Sequence, residues 1–281
     1  MSEQQYIESF GVEPSTPDIR DYKIEKSSLL TDFPKEFELD ISSAKNQGSI
    51  SSCLAHVLAT IAEYHMKRQY GLDNEISPGY IYGNRLAPLG TGEGMVTRHA
   101  LEVFCKEGAP TLQEFPLHCE VPQIILAVEK EHDALASSAR QFCFSQYVKV
   151  TTEQEIKTAL MILGPIVVTV PWYKGNRVKN GILYSDCKEQ SSYHAMVLYG
   201  WDENGWKIQN SWSMFWGKKG RAIMPTSYPI TELFAPVDNI SCPVTIKKPF
   251  RAKNKFTKWC VKVANKVYSI FYTLAYKISN K

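Results

Sequence analysis

Residues 46–56 read NQGSISSCLAH and place one cysteine, Cys53, between a polar run and an apolar one. The following stretch, CLAHVLATIAEYHMKR (53–68), repeats apolar side chains every three or four positions, which predicts a helix that begins at Cys53. Ser51 or Ser52 would serve as its N-cap. A thiol in the first turn of a helix lies at the positive end of the helix dipole, which favours the thiolate. Cys53 is therefore a candidate nucleophile as well as a candidate core residue.

The rest of the chain divides into a helical first half and a strand-rich second half. Helices are predicted at 76–85, which starts with Ser-Pro after an isoleucine, at 97–108, which ends in glycine, and at 152–163. Beyond residue 165 the runs IVVTV, HAMVLYGWD, GWKIQNSW and RAIMP are β-branched, alternating or apolar. This order predicts an α+β fold with two lobes and a cleft between them.

Charge is distributed unevenly along the chain. Residues 239–281 contain ten basic residues and no acidic one, whereas the remainder contains 22 basic and 29 acidic residues, so the two parts carry +10 and −7. Within this tail, 255–278 repeats apolar residues at helical spacing beside a stripe of lysines, which predicts a basic amphipathic helix. Two roles stay open for it, contact with an anionic membrane surface and packing on its own domain or a partner protein, whereas contact with nucleic acid is disfavoured.

The cysteines and the N-terminus bear on the compartment. Seven cysteines are scattered with no CxxC pair and no zinc-ligand spacing, which predicts reduced thiols and no metal site. The first residues, MSEQQYIESF, lack the basic and apolar regions of a signal peptide, and no window has the ~18 apolar residues of a membrane span. We therefore expect a cytoplasmic protein, or one exported without a signal peptide, that is peripheral at a membrane if its tail binds one.

Six histidines compete to be the base that activates the thiol. Those at 56, 65, 99, 118 and 132 lie on predicted helices or in stretches with no other catalytic signal, so packing or surface roles are favoured for them. His194 opens a predicted strand 141 residues after Cys53, a spacing typical of one class of cysteine–histidine enzymes. In the run NSW, the Asn210 oxygen can accept the imidazole N–H, and Trp212 can shield that bond from water. Gln47 can donate to a developing oxyanion together with the Cys53 N–H.

Taken in order, these motifs resemble those of papain-family (C1-type) cysteine peptidases. The matching stretches are Gln47-Gly48 and Ser52-Cys53, Gly164-Pro165, Gly181-Ile182-Leu183-Tyr184, His194-Ala195, Gly200-Trp201-Asp202, Asn210-Ser211-Trp212 and Trp216-Gly217. The resemblance implies a catalytic domain at 34–242, and the charge and apolar pattern assign 243–281 to the basic amphipathic C-terminal helix. It implies a helical left lobe, mainly 45–118, and a β-barrel-like right lobe, mainly 119–240, with the active site in the cleft between them.

The stretches QGSIxSC (47–53), ISPGYIYGNR (76–85) and PDIRDY (17–22) resemble bacterial, archaeal and viral members of the family, and the chain departs from most secreted members. Ile50 stands where secreted members have a disulfide-bonded cysteine, and Ser51, Leu54 and Ser213 replace an expected glycine, tryptophan and glycine. The absence of that disulfide fits a reducing compartment.

The resemblance implies a peptidase that needs no cofactor and acts on a peptide or protein substrate. Cys53 would be the nucleophile, His194 the acid and base, Asn210 the residue that orients His194, and Gln47 an oxyanion donor. Two alternatives stay open. One is a weakly active or inactive papain-like module that binds peptides or a partner, and the other is an acyltransferase that uses the same thiol.

The resemblance also implies where substrate binds. The substrate backbone would lie along Gly94 and Met95, near Trp212. The residues that would line the main specificity pocket are Met95, Thr169, Ser192 and Ala195.

Residues 1–33 are polar and rich in turn formers, and no core element is predicted there. They are too few for the long helical propeptide of lysosomal relatives. They are either a short inhibitory pro-segment over the cleft, as in a zymogen, or a constitutive strand of the mature fold, and both interpretations stay open.

Overall fold

The computed structural model describes residues 11–85, 94–116, 124–238 and 246–247. The predicted basic helix at 255–278 and His118 therefore lie outside the described residues. Within the described ranges the α-helices are Cys53–Tyr70 (α1), Pro78–Gly83 (α2), Thr97–Glu107 (α3), Ile124–Ala139 (α4) and Glu153–Ile162 (α5), with short 3-10 turns at Lys26–Ser28 and Arg140–Phe142.

The strands of the described residues are short, with two exceptions. They are Val12–Glu13 (β1), Lys23–Ile24 (β2), Phe37–Glu38 (β3), Met95–Val96 (β4), Gln146–Lys149 (β5), Ile166–Tyr173 (β6), Asn176–Lys179 (β7), Ile182–Ser185 (β8), Gln190–Asp202 (β9), Gly205–Gln209 (β10), Arg221–Met224 (β11), Glu232–Val237 (β12) and Ile246–Lys247 (β13). The long strands β6 and β9 pair antiparallel and form the middle of the second lobe.

Helix α1 is the centre of the helical lobe, and it spans the range that its apolar repeat predicts. Its buried side chains include Leu54, Leu58 and Ile61, none of which is exposed. The helix ends at Gly71, which adopts the left-handed conformation with φ at 66° and donates its N–H to the Lys67 carbonyl. A glycine is favoured there because other residues rarely take a positive φ.

Helix α4 was not predicted, and it extends the helical lobe further along the chain than the motif order suggests. It packs against α2, with Ile124 and Val128 buried in the helical lobe. The two helices approach closely at Gly83, where an added Cβ would lie 2.4 Å from the Val128 Cγ2 atom. The helical lobe therefore reaches Ala139, beyond the expected boundary at residue 119.

The strand lobe is one twisted sheet of nine described strands. Its order is β5-β12-β6-β9-β10-β11-β8-β7, and β3 pairs with β9 off this path. Helix α5 precedes β6 and begins with a capping box, in which the Thr152 side chain accepts from the Glu155 N–H and the Glu155 side chain accepts in return. The predicted α+β architecture with a helical and a strand lobe is confirmed.

The N-terminal segment is part of the core, so the expectation that residues 1–33 supply no core element is wrong for its described part. Strand β1 pairs parallel with β4, and β2 pairs with β13. Val12 and Ile24 are about 5% and 4% exposed, and each belongs to one of the two apolar cores. Two-residue strands are too short to produce a periodic pattern, which is why the sequence did not reveal them.

A buried ion pair anchors this segment to the helical lobe. Arg98 on α3 donates from Nε and Nη2 to the two carboxylate oxygens of Asp21, both at 2.8 Å, and from Nη1 to the Thr16 carbonyl at 2.7 Å. Lys149 on β5 approaches the same carboxylate at 3.5 Å. Asp21 therefore links the segment to both lobes.

Within the described residues, α1 to α5 include no helix with the length and hydropathy needed to cross a membrane. The cysteines at 53, 105, 143 and 187, which are those inside the described ranges, are all free thiols.

Replacement of Asp21 by asparagine should destabilise the fold, because it leaves the buried Arg98 guanidinium without a counter-charge. We expect the free energy of unfolding to fall by about 3 kcal/mol, the usual cost of breaking a buried pair. Asp40→Asn is the matched control, because Asp40 pairs with Lys67 with both side chains at least half exposed, and it should cost less than ~1 kcal/mol. Urea unfolding of both variants measures the difference, and equal losses would contradict the anchoring role of Asp21.

Candidate active site

Cys53 begins α1 where the two lobes meet. Its side chain is fully buried, and the backbone N–H groups of Ala195, Leu54 and Gly11 lie close enough to lower the pKa of its thiol. Ala195 directly follows His194 on β9, so the thiol lies against the strand that carries the predicted base.

Ser52 occupies the N-cap position of α1, one of the two positions predicted, but its side chain makes no capping hydrogen bond. Its hydroxyl instead approaches the His56 Nδ1 atom at 3.4 Å and the Ile50 carbonyl at 3.5 Å.

His194 is held by an amide and enclosed by two indoles. Its Nε2 atom lies 2.6 Å from Asn210 Oδ1, which also accepts from the Ser211 N–H at 2.7 Å. The Trp212 ring lies across the imidazole, with centroids 4.6 Å apart and planes inclined by 34°, and Trp172 meets it edge-on at 5.1 Å. These contacts fix the ring orientation and exclude water from the His194–Asn210 hydrogen bond.

Gln47 is buried in the loop before α1, with both ends of its side chain engaged. Its amide donates to the Ile50 carbonyl at 2.8 Å, and its Oε1 atom accepts from the Ser211 hydroxyl at 2.6 Å. The Gln47 backbone N–H also donates to the Ser211 carbonyl at 2.8 Å. A carboxamide carries two N–H groups, and the Ile50 carbonyl uses one of them. Ser211, the residue after Asn210, therefore positions Gln47. Two predicted site residues, Asn210 and Gln47, are thus held by the same short loop.

Four of the residues predicted to bind substrate lie together between the lobes, in addition to Trp212 beside His194. Gly94 and Met95 lie at β4, and Thr169 and Ala195 are cross-strand neighbours on β6 and β9. The Thr97 hydroxyl, which starts α3 after β4, lies 3.4 Å from that of Thr169. The β4 edge of the helical lobe therefore faces the Thr169–Ala195 pair of the strand lobe.

Ser192 lies apart from this group. It pairs with Trp172, further along β9, and its hydroxyl lies 3.3 Å from the Tyr193 carbonyl. Side chains alternate along a strand, so Ser192 shares the sheet face of His194 rather than that of Ala195.

The N-terminal segment covers the site. The Gly11 carbonyl accepts from the Met95 N–H at 2.8 Å, Val12 pairs with Met95, and the Gly11 N–H reaches the Cys53 sulfur. A Cβ on Gly11 would lie 1.9 Å from the Ser51 carbonyl oxygen, so only glycine fits at this position. In this state Cys53 and His194 are both wholly inaccessible to solvent.

Burial sets the protonation states of the pair. It raises the pKa of the Cys53 thiol to about 11, although the backbone N–H groups of Ala195, Leu54 and Gly11 lower it. It also lowers the pKa of His194 to about 4, although the hydrogen bond to Asn210 raises it. At neutral pH the covered pair is therefore a thiol and a neutral imidazole. Because burial is the largest cause of both shifts, uncovering the site would move both pKa values back towards those of an ion pair.

Three features of the site were not predicted from the sequence. Gly11 lies against the thiol, Trp172 encloses the imidazole, and Glu232 is a buried carboxyl group on β12 beside Thr169. The sequence does draw attention to Glu232, because it is a single acidic residue at the start of the apolar run ELFAPV. Its position beside Thr169, however, depends on the register of the strands.

The other described histidines make packing or surface contacts. His65 bonds Asp238 through Nδ1 at 3.1 Å, and His56 Nδ1 lies 3.0 Å from the Ser52 carbonyl on its own helix. His132 stacks on Tyr80, and His99 on α3 is half-buried.

Comparison with known proteins identifies the family. The model of the papain family of cysteine proteases matches residues 31–228, which are 198 of the 281 residues. The viral cathepsin of Adoxophyes honmai nucleopolyhedrovirus is 24% identical over 211 residues, 73% of this chain and 58% of that protein. The chain thus spans little more than half the length of this relative.

Two solved structures share the fold. Xylellain, a cysteine protease from Xylella fastidiosa, has a TM-score of 0.70 and 21% identity, and the match covers 85% of this chain and 99% of that one. The digestive procathepsin L 3 of the Tenebrio molitor larval midgut has a TM-score of 0.59 and 16% identity, covering 78% and 76%. At these identities the likeness extends to the fold alone.

Iodoacetamide should alkylate Cys53 slowly at neutral pH in the folded full-length protein. Only the thiolate reacts, and a pKa of about 11 leaves a thiolate fraction on the order of 10⁻⁴ at pH 7. The rate should rise about tenfold per pH unit and level off near pH 11, as measured by mass spectrometry of the Cys53 peptide. The urea-unfolded protein is the control and should level off near the ordinary thiol value of about 8.5. A folded protein whose rate levels off below pH 8 would contradict the covered, neutral pair.

Proposed function

This chain belongs to the papain family of cysteine proteases, and we propose that it hydrolyses peptide bonds through Cys53, His194 and Asn210. The observation that carries the proposal is the 2.6 Å contact between His194 Nε2 and Asn210 Oδ1. His194 lies on strand β9, which packs against the Cys53 thiol. The contact with Asn210 leaves Nδ1 as the ring nitrogen for proton exchange with the thiol. Asn210 thus selects the tautomer and the orientation of the ring.

The reaction proceeds in two stages. With the site open, the Cys53 proton passes to His194, and the thiolate attacks the substrate carbonyl carbon to form a tetrahedral oxyanion. His194 then donates its proton to the leaving amine as the C–N bond breaks, which leaves a thioester on Cys53. A water molecule gives a proton to His194 and attacks the thioester, releasing the carboxylic acid and restoring the thiol.

Gln47 and the N–H at the start of α1 supply the oxyanion donors. Ser211 and Ile50 hold the Gln47 amide at the loop before the nucleophile, so its orientation is set before substrate arrives. Preorganised donors of this kind stabilise the developing charge because they need no rearrangement during the reaction. The positive end of α1, an 18-residue helix, favours the thiolate at the same point.

We further propose that the N-terminal segment acts in two parts. Residues 11–14 cover the thiol, which supports an inhibitory role. From Ser15 onward the segment is embedded: Asp21 pairs with Arg98, the Lys149 N–H donates to the Tyr22 carbonyl at 2.8 Å, and the Leu30 N–H donates to Thr158 at 3.1 Å. These contacts support a constitutive role for the embedded part and confine the inhibitory role to the residues before it.

Gln47→Ala should lower kcat by about 10²–10³ on any cleaved peptide, because one oxyanion donor is lost, while the variant remains folded. Gln154→Ala is the control, since that amide bonds only the Leu30 carbonyl on the surface among the described contacts, and it should cleave at the wild-type rate. Cys53→Ala should give no cleavage. The assay is a peptide library read by mass spectrometry, and full activity in Cys53→Ala would refute the mechanism.

The same assay separates the alternatives. Hydrolysis yields a free carboxylate at every new C-terminus and a free amine at every new N-terminus, whereas acyl transfer to an amine yields an acyl fragment whose new C-terminus is joined to that amine. A catalytically inactive module would show neither product and would not react with a papain-class epoxide at Cys53.

Gly11→Val should uncover the site. The valine side chain would collide with the Ser51 carbonyl, so the segment should leave the thiol. We expect faster peptide cleavage and faster Cys53 alkylation at pH 7 than in the wild type. Thr16→Val introduces the same side chain at an exposed position of the same segment and should change neither rate. Equal rates in Gly11→Val and the wild type would show that residues 11–14 do not limit access.

A further inference from the structure

Met214 and Phe215 are two adjacent apolar residues whose side chains lie in solvent. They are 50% and 64% exposed, respectively. They form the turn between Trp212 and Trp216, whose rings are both about 1% exposed and lie with centroids 6.2 Å apart. Because buried rings fix both ends of this turn, the two residues between them, here called the apolar tip, point away from the core.

Backbone hydrogen bonds hold the turn in place. Ser213, at a φ of 65°, donates its N–H to the Lys45 carbonyl at 2.9 Å and accepts the Phe215 N–H on its hydroxyl at 3.2 Å. On the other side of the apolar tip, the Gly220 N–H donates to the Trp216 carbonyl at 2.7 Å. The exposure of the apolar tip is therefore imposed by a well-bonded backbone.

A groove lies on each side of the apolar tip, and basic residues line both grooves. Met214 borders a groove of about 730 Å³ together with Lys218 and Lys219. Phe215 borders a groove of about 530 Å³ together with Arg177 and Lys218. Both grooves also share the turn between β7 and β8, so the apolar tip is a ridge between two basic depressions.

This face is basic although most of the chain is acidic. The residues that line the two grooves include five bases and two acids, whereas residues 1–238 together contain 22 bases and 29 acids. Of the two acids, Glu38 pairs with Lys207 at 2.7 Å, and Asp202 accepts a backbone N–H of the turn after β9 at 2.8 Å. Lys218 and Lys219 make no ion pair within the part of the chain that the structure describes, so their charges are available to a partner.

An apolar ridge flanked by free bases matches the surface of an anionic phospholipid bilayer. Such a bilayer presents negative headgroups to water and hydrocarbon ~5–10 Å below them. Lysine side chains can stay among the headgroups while the ridge between them enters the boundary of the acyl chains. The acidic surface of a protein would complement the lysines alone, because it offers no fluid apolar layer behind its charges.

We propose that the apolar tip and the lysines beside it dock this protein onto an anionic lipid bilayer. The apolar tip enters the interface between headgroups and acyl chains, and Lys218 and Lys219 contact the headgroups. The docking surface goes beyond the proposed peptidase function and does not depend on it, because none of its residues takes part in the proposed reaction. The tip directly follows Ser213 and Trp212, whose ring lies across that of His194, so docking holds the active site close to the bilayer.

Vesicle sedimentation of the full-length protein tests the apolar tip. The wild type should bind mixed phosphatidylcholine–phosphatidylserine vesicles, and Met214→Ser/Phe215→Ser should lower the partition coefficient by about tenfold or more, the value expected from burial of an exposed phenylalanine. Ile19→Ser is the matched control, because Ile19 is 60% exposed elsewhere, and it should keep the wild-type value. Residues 239–281 are present in every variant, so their basic charge cancels in the comparison. Equal partition of the tip variant and the wild type would overturn the proposal.

The same assay tests the lysines. Lys218→Gln/Lys219→Asn should lower binding to the mixed vesicles by about tenfold or more and leave weak binding to pure phosphatidylcholine unchanged, because each lysine near an anionic surface contributes roughly fivefold. Asparagine is chosen at position 219 because the residue there has a φ of 56°. Lys67→Gln/Lys174→Gln removes the same net charge at two exposed ion pairs and should bind nearly as the wild type does. Equal losses in the two double variants would mean that net charge alone drives binding, which would contradict a specific docking surface.

The depth of insertion distinguishes docking by the tip from adsorption by charge. Phe215→Trp places an indole at the apolar tip, and lipids brominated near the headgroup end of their acyl chains should quench its emission in the vesicle-bound protein. The quenching should exceed that of the wild type, whereas Ile19→Trp should add none. If Phe215→Trp gave no quenching beyond the wild type, the tip would not enter the bilayer and the proposal would fail.

An acidic protein segment is the alternative occupant of this surface, and a polyglutamate peptide is the probe for it. Loss of peptide binding in the tip and lysine variants with unchanged vesicle binding would identify a protein-docking site and would overturn the proposal. Loss of vesicle binding in the tip variant with unchanged peptide binding supports the bilayer. Thermal unfolding of each variant confirms that folded proteins are compared. Vesicle binding needs no catalysis, so a wild type that cleaves no peptide would refute the peptidase proposal and leave this inference intact.

Discussion

The chemistry of this protein depends on one contact, the packing of the start of helix α1 against strand β9. It brings Cys53 next to Ala195, the residue that follows His194. The side chains of Cys53 and His194 are both completely buried. The helix start favours a thiolate by roughly 0.3–1 kcal/mol at an exposed site, with larger values in favourable buried geometry. Burial acts in the opposite direction and wins, since the thiol pKa rises to about 11. A helix N-terminus is therefore not sufficient to ionise the Cys53 thiol, and solvent access decides its protonation state.

How much could be predicted from the sequence depended on whether a feature was local. Helix α1 spans eighteen residues with a clear apolar repeat, and Asn210 and Trp212 lie in one short motif, so their relation was readable. Strand β1 of the N-terminal segment is two residues long, which is too short to show a periodic pattern of apolar residues. Helix α4 lies in a stretch where no cap or terminating signal had been recognised. The two-residue strands are determined by tertiary pairing, whereas the composition of α4, IILAVEKEHDALASSA, favours a helix by local propensity.

The specificity pocket illustrates the same limit. Matching by position along the chain grouped Ser192 with Ala195, but the two lie an odd number of residues apart, and strand alternation assigns them to opposite faces. Strand pairing also brings Glu232, which is distant in sequence, beside Thr169 and Ala195, because β12 pairs with β6 and β6 pairs with β9. A resemblance by motif locates the proposed reacting groups, because each lies within a short sequence motif. The walls of the pocket require the register of three strands.

The arrangement of the N-terminal segment explains how a weak cover can be effective. Residues 11–14 make few directional contacts, and each hydrogen bond contributes only about 1 kcal/mol net. Their anchor is much stronger, because the buried Asp21–Arg98 pair holds the chain close by. A tethered segment binds as if present at millimolar concentration, so an intrinsic dissociation constant of about 0.1 mM would still keep roughly nine sites in ten covered. In the proposed inhibitory role, contacts of that strength would yield to a substrate peptide that engages the β4 edge in their place. In the proposed two-part arrangement, Asp21 would set the local concentration of the cover, and Gly11 would set how readily the thiol is released.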